Sequence, residues 1–194
     1  MDLREHAYSV LIVSAAEKFN TSIKDMFPDF NYSVINVETS ISAAKRALVE
    51  REYDMIAVNS PLPDDDGIRF AIDLCANKNT VVLLLVRDEL YPSIFDKVSR
   101  HGVYTLPKPT SRSVLRQAFD WMASTRERLR RLEKKTLSLE DKMQEIRLIN
   151  RAKWVLIEQL NMQEADAHRY IEKQAMDRCI SKRSFAEEII KTYS

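Results

Sequence analysis

The chain has 194 residues but only two glycines, two cysteines and three histidines, and these low numbers exclude several kinds of site. Gly67 and Gly102 stand too far apart for a P-loop or for the G-x-G-x-x-G loop that binds dinucleotides. Cys75 and Cys179 are too few for a four-cysteine zinc site or a disulfide framework. The histidines form no H-E-x-x-H pair. We therefore expect a protein without a metal, a cofactor or catalytic residues, and not an enzyme.

Net charge and long apolar runs are also lacking. The chain has 30 Lys and Arg residues and 29 Asp and Glu residues. It therefore lacks the basic excess that would indicate a nucleic-acid-binding protein. The longest apolar run, 81–86, is too short to cross a bilayer. The first residues are polar, unlike a signal peptide. We expect a cytoplasmic protein that does not contact the membrane.

Proline and glycine occur only in the first part of the chain. All six prolines and both glycines lie within 28–109, and the 85 residues that follow contain neither. That second part is rich in helix-favouring residues. Net charge changes along the chain as well, from −3 in 1–123 to +3 in 124–144 and +1 in 145–194. We therefore predict three regions with these bounds.

The first region alternates two hydrophobic patterns. Short apolar runs typical of buried strands are separated by segments with helical spacing. This alternation predicts a flavodoxin-like, doubly wound sheet of five parallel strands, whose sites form at the carboxyl ends of the strands. The predicted strands are 8–13, 32–37, 53–58, 80–86 and 103–106, and the helices between them include 14–27, 68–76 and 91–101.

Two motifs in this region resemble bacterial response-regulator receiver domains. Segment 53–67 has a strand, an acceptor position and an L-P-x-x-x-G turn, and 106–109 reads L-P-K-P. The resemblance covers residues 6–123. It implies an acidic pair that holds magnesium, an aspartate that accepts phosphate, a Thr or Ser after the fourth strand and a lysine after the fifth.

The sequence departs from this family at nearly every chemical position. Ser14 and Ala15 replace the acidic pair, Asn59 stands at the phosphoacceptor position, and Leu85 replaces the hydroxyl residue. Lys108 alone is retained. Magnesium prefers carboxylate oxygens and an amide is not a phosphoryl nucleophile, so we predict a degenerate receiver that is neither phosphorylated at this position nor dependent on magnesium.

A heptad pattern follows. From residue 115 an apolar or small residue recurs at alternating steps of three and four, which is typical of a coiled coil. The alternative is a helix that packs on its own sheet, and we expect this for 115–122. Beyond residue 125 dense charge favours a parallel homodimer, and Asn150 at an a position agrees with two strands. The predicted dimer seam is Leu129, Leu132, Leu139, Met143, Ile146 and Asn150.

Basic side chains flank this seam. They could reach nucleic-acid phosphates, but a solvated flank of the coiled coil is the favoured interpretation. The cluster consists of Arg126, Arg128, Arg130, Arg131, Lys134 and Lys135.

The last region reads as three helices. The first continues to Leu160, where Asn161 can adopt the left-handed conformation, and the second covers 164–177. Ser181 can cap the third. Core candidates at helical spacing are Ile149, Ala152, Leu156, Leu160, Ala167, Ile171, Ala175, Met176, Phe185, Ala186, Ile189 and Ile190.

This region resembles the ANTAR domain, a three-helix RNA-binding output domain of antitermination regulators. The matching segments are 149–153 with Leu156, 167–171, 174–178, and Ala186 with 189–190. Trp154 replaces the usual glycine and Gln163 replaces the usual Ser or Thr cap.

The ANTAR resemblance implies binding to paired hairpins in a leader transcript, so that polymerase passes a terminator. Lys153 and Arg178 match the motif, and Trp154 or Tyr170 can stack on a base. A dimer suits paired hairpins because bivalency multiplies weak contacts. Residues with suitable chemistry nearby are Arg151, Gln174, Lys182 and Arg183.

Other hypotheses are open at this stage. The chain could be a protein-interaction module whose output helices are masked by a ligand-sensing regulatory partner, which is compatible with RNA binding. A DNA-binding helix-turn-helix regulator ranks lower, because the final helix lacks a strongly basic face. A conventional phosphorelay protein ranks last.

Overall fold

The structure, a computed structural model, describes residues 7–27, 32–77 and 80–193. Five strands alternate with helices before three helices complete the described chain, which confirms the predicted fold class. The strands are β1 (Tyr8–Val13), β2 (Tyr32–Glu38), β3 (Met55–Asn59), β4 (Val81–Arg87) and β5 (Tyr104–Lys108). The helices are α1 (Glu17–Lys24), α2 (Ile41–Glu50), α3 (Ile68–Asn77), α4 (Tyr91–Val98), α5 (Arg112–Leu160), α6 (Glu164–Asp177) and α7 (Lys182–Tyr193).

The chain divides into two compact units, 1–131 and 132–194, and α5 contributes to both. The predicted division at 123 and 144 places both boundaries inside this single helix. The three-part division stays a prediction.

The first unit is built on a parallel sheet in the order β2-β1-β3-β4-β5. Its central strands are apolar on both faces, as expected for a sheet covered by helices on both sides. The register pairs Asn59 with Leu85 and Leu85 with Leu106. The predicted acceptor position and its neighbours therefore meet at the carboxyl edge of the sheet.

Each face of the sheet has its own hydrophobic core. On one face α2, α3 and α4 pack on alternate strand residues, including Leu11, Val58 and Leu84. On the other face α1 and the beginning of α5 cover Ile12 and Leu83.

The loop after β3 needs its glycine. Gly67 has φ +75°, and a Cβ atom there would stand 2.8 Å from Cγ1 of Val58. In the same loop the Asp64 carboxylate accepts hydrogen bonds from the amides of Ile41 and Ser42 at the start of α2. These amide hydrogen bonds lower the pKa of Asp64 below its ordinary value. The acidic loop thus caps a helix.

The charged stretch after residue 125 packs on its own domain, contrary to our expectation. Asp54 accepts hydrogen bonds from Nε of Arg126 at 2.9 Å and from Nη2 of Arg130 at 3.1 Å. The three side chains are only 14–18% exposed. Leu129 packs against the core formed with α1. Coiled-coil packing was favoured here because the local charge pattern does not show the Asp54 carboxylate, which lies directly before the distant strand β3.

The second unit has a small core where α5, α6 and α7 meet. Most predicted core residues are buried or partly buried there, including Ala152, Leu156 and Ile171. Leu160 and Met176 are exposed instead, so the prediction was wrong for these two. Both residues lie within the last turn of a helix. The helical spacing of apolar residues extends into that turn, but the neighbouring helix does not cover it.

The predicted helix boundaries of this unit are confirmed except for the end of α7, which was predicted at Lys191 and lies at Tyr193. Asn161 has φ 52°, in the left-handed region, at the end of α5. The Ser181 hydroxyl accepts a hydrogen bond from the Ser184 amide at 3.0 Å and so caps α7. Cys179 also has a positive φ, 54°, which the sequence did not indicate.

The Asp54 ion pairs make a prediction about stability and pH. Burial raises the pKa of Asp54, but hydrogen bonds from the Ser9 amide and the Arg126 guanidinium lower it more, so it lies below 3.8. The carboxylate therefore stabilises the fold above this value, and the contribution is lost as pH falls through the lower, folded-state pKa. Asp54→Asn should lose about 2 kcal/mol of unfolding free energy at neutral pH.

Urea unfolding followed by circular dichroism measures this loss at neutral and acidic pH. The deficit of Asp54→Asn should shrink under acid, whereas the exposed control Asp120→Asn should stay near wild type at both. An equal deficit of Asp54→Asn at both pH values contradicts the prediction.

Candidate functional site

The carboxyl edge of the sheet holds a hydrogen-bond network where receivers carry their phosphate site. The Asn59 amide donates from Nδ2 to the Ser14 hydroxyl at 3.0 Å. Its Oδ1 accepts from Lys108 Nζ at 2.7 Å, and Lys108 also donates to the Ser60 carbonyl. Asn20 donates to the Ser14 carbonyl at 3.0 Å. Every polar atom of the Asn59 amide group thus has a protein partner.

Burial and charge reinforce this arrangement. Ser14, Asn59 and Ser60 are buried. Desolvation lowers the pKa of Lys108 below its ordinary value, and the positive charge of Arg87 lowers it further. The ammonium group is held by two neutral oxygen acceptors, not by a carboxylate.

This donor set does not suit the magnesium ion that the receiver resemblance implies. The two positions that would supply carboxylates hold Ser14 and Ala15, and the Asn59 oxygen is already paired with Lys108. Elsewhere in the described ranges, no three His, Cys, Asp or Glu side chains are grouped so as to hold a metal ion. Sequence reasoning identified Asn59 and Lys108 but missed Ser14 as the hydrogen-bond partner of Asn59.

Four cations predicted to bind RNA are each held by a glutamate of the second unit. Within this unit, Lys153 lies 3.0 Å from Glu164 on α6. Arg178 lies 3.0 Å from Glu188, and its guanidinium carbon stands 5.0 Å from the centre of the Phe185 ring. The other two pairs are Lys182 with Glu172 and Arg183 with Glu187.

The remaining RNA candidates are distributed differently. Arg151 is exposed on α5, whereas Gln174 is half-buried on α6. The Trp154 side chain is 64% exposed. Tyr170 lies against Phe185, with the ring centres 6.1 Å apart. The structure therefore spreads these candidates over three helices.

Most of the predicted dimer seam is open. Leu129 is partly buried against the first unit, and Asn150 is exposed. The apolar side chains between them are each more than half exposed: Leu132, Leu139, Met143 and Ile146. Arg128, Arg131, Lys134 and Lys135 of the basic cluster are also exposed.

Both units of the chain are similar to known proteins. Residues 137–190 match the ANTAR domain family. Over 183 residues the chain is 22% identical to the transcriptional regulatory protein PdtaR of Mycobacterium tuberculosis, an alignment covering 94% of this chain and 89% of the relative. In the part of the chain that the structure describes, no helix is long and apolar enough to cross a membrane.

Solved structures support the fold of the first unit. The receiver domain of an HD domain-containing protein from Pseudomonas fluorescens aligns with a TM-score of 0.58 and 20% identity, covering 68% of this chain and 96% of that one. A response-regulator receiver domain protein from Clostridium thermocellum gives 0.54 and 14%, covering 63% and 98%.

A receiver-type fold followed by an ANTAR domain defines a class of protein, the ANTAR-domain response regulators. The chain resembles that class in both of its parts. The ANTAR match and the similarity to a transcriptional regulatory protein both point to a regulator.

The Asn59 network generates a second prediction. Lys108→Met removes the ammonium group but keeps an unbranched side chain, and it leaves the buried Asn59 oxygen without a donor. The expected loss is about 1 to 3 kcal/mol of unfolding free energy. Thermal unfolding measures it, with the exposed Lys97→Met as the matched control.

A double variant separates a lost hydrogen bond from lost packing. Asn59→Leu combined with Lys108→Met removes both partners, so it should be less destabilised than Lys108→Met alone. If the double variant is the less stable of the two, the network does not stabilise the site in this way.

Proposed function

We propose that the protein binds paired hairpins in leader transcripts as a homodimer, and that this binding lets polymerase pass a terminator. The observation that carries the proposal is the ANTAR match over 137–190, on a three-helix unit with basic and aromatic side chains at its surface. Folded RNA offers phosphates and unstacked loop bases, which are bound by guanidinium and ammonium groups, amides and aromatic rings.

The exposed seam on α5 supports a dimer. Leu132, Leu139, Met143 and Ile146 form an apolar row in which each side chain is more than half exposed. Two such rows bury each other in a parallel coiled coil, and Asn150 then pairs with its copy and sets the register. The seam begins at Leu132, because Leu129 packs on the first unit.

The network at the sheet edge supports regulation without aspartyl phosphorylation. An amide offers no oxygen nucleophile comparable to a carboxylate, and the Asn59 oxygen is occupied by Lys108. The signal to this receiver is then contact with another molecule. We propose a regulatory protein partner that binds the chain in the cytoplasm, where nascent transcripts are made.

The RNA-binding prediction concerns Lys153. If Lys153 contacts a phosphate, Lys153→Ala should weaken binding to a two-hairpin RNA and reduce the slope of log affinity against log salt by about 1. Fluorescence anisotropy at several salt concentrations measures both quantities.

Glu164→Gln is the matched control. It removes the glutamate that holds Lys153, so binding should be retained or strengthened. Unchanged affinity of Lys153→Ala, with an unchanged circular dichroism spectrum, would remove Lys153 from the interface.

The dimer prediction concerns Ile146. Charge repulsion between two copies in the seam means that Ile146→Glu should yield a monomer in light scattering. The monomer should keep its affinity for one hairpin but lose about 100-fold or more on two linked hairpins.

Leu137→Glu is the control, since Leu137 is equally exposed but stands outside the a and d positions of the seam. A dimer that survives Ile146→Glu contradicts the proposed seam. A monomer that retains full affinity for linked hairpins contradicts bivalent binding.

A further inference from the structure

One exposed face of α5 in the second unit combines an aromatic ring with two cations. Arg147, Arg151 and Trp154 stand at i, i+4 and i+7, so they share one side of the helix. All three side chains are exposed. Ala152 and Leu156, on the opposite side of the same turns, are buried in the core of the unit. The face is thus fixed by the packing behind it.

Trp154 is the unusual member of this face. Its indole is 64% exposed, and no aromatic or cation–π contact of Trp154 is present among the described residues. A large ring held on a packed helix loses little side-chain freedom when a flat ligand stacks on it. Indole rings are strong platforms for nucleic-acid bases, which stack regardless of their identity.

Arg147 and Arg151 differ from the cations predicted by the motif. Lys153, Arg178 and Lys182 each have a glutamate partner, whereas neither arginine makes a salt bridge within the part of the chain that the structure describes. A phosphate that approaches the two arginines displaces no carboxylate.

The charge of this face favours RNA over a second copy of the chain. Two copies of the face brought together would place arginine against arginine, which is repulsive, whereas a polyanion gains from both side chains. Glu158, one turn beyond Trp154, limits the favourable region to the Arg147 side of the ring.

We infer that an unstacked base from a hairpin loop stacks on Trp154 while its neighbouring phosphates pair with Arg147 and Arg151. The ligand class is a single-stranded RNA loop held by a stem. This inference rests on the proposed function and assigns its main contact surface to the outer face of α5.

Trp121→Phe provides a protein whose only tryptophan is Trp154, because the chain has two. Hairpin RNA should quench the fluorescence of this protein on titration, and an RNA lacking the loop base should bind without the same quenching. In the wild-type background Trp154→Ala should weaken hairpin binding about 5- to 150-fold. Trp121→Ala, which alters the other exposed indole, should not.

The arginines are tested through salt. Arg147→Ala with Arg151→Ala should weaken binding and lower the salt slope by about 1 to 2. Light scattering of both variants should show the wild-type oligomeric state.

The outcomes separate this inference from the proposed function. If the wild type binds hairpins but Trp154→Ala binds equally well, or Trp154 is not quenched, the assigned surface is wrong and RNA binding stands. If Trp154→Ala becomes a monomer, the ring belongs to the dimer seam and the inference fails. If the wild type binds no hairpin RNA, both the inference and the proposed function fail.

Discussion

The constraint on which the rest of the molecule depends is that one uninterrupted helix, α5, must serve two hydrophobic cores. Leu115 and Met122 are buried in the first unit, and Ala152 and Leu156 in the second. Because 85 residues after Pro109 contain no glycine or proline, nothing in the sequence breaks the helix between them. The turns from Leu132 to Ile146 therefore present an apolar row that neither core covers.

At the sheet edge, residues suited to phosphate chemistry are replaced by residues whose hydrogen bonds stabilise the fold. A receiver with acidic residues there keeps charges close together, which a bound cation must balance. Here Asn59 acts as donor to Ser14 and acceptor from Lys108, so the buried groups satisfy one another. The ordinary receiver switch depends on the charge of a phosphoryl group that is added and removed. The network around Lys108 contains no carboxylate, which favours the proposed regulation through contacts.

The sequence predicted the secondary-structure elements better than it predicted which distant residues contact one another. Strand and helix order, the left-handed Asn161 and the Ser181 cap follow from local pattern, and the structure has them. The pairing of Arg126 with Asp54 joins residues 72 positions apart, so local charge density could not show it. Helical spacing likewise placed Met176 on the apolar side of its helix, but it could not show whether another helix covers that residue. The RNA-binding and seam assignments remain predictions, because they concern partners outside the chain.

The near-neutral charge of the molecule bears on how it can bind a polyanion. The ion pairs of Arg178, Lys182 and Arg183 with glutamates are exposed or half-exposed, and such pairs contribute at most about 1 kcal/mol, whereas the Lys153 side chain is only 15% exposed. A phosphate can therefore replace the glutamate at small expense, but the net gain is also small. Among the described residues, Arg147 and Arg151 have no salt-bridge partner to displace, so they contribute their full attraction. In the proposed RNA complex, affinity and its salt dependence should thus be dominated by the outer face of α5, while the paired cations orient the RNA.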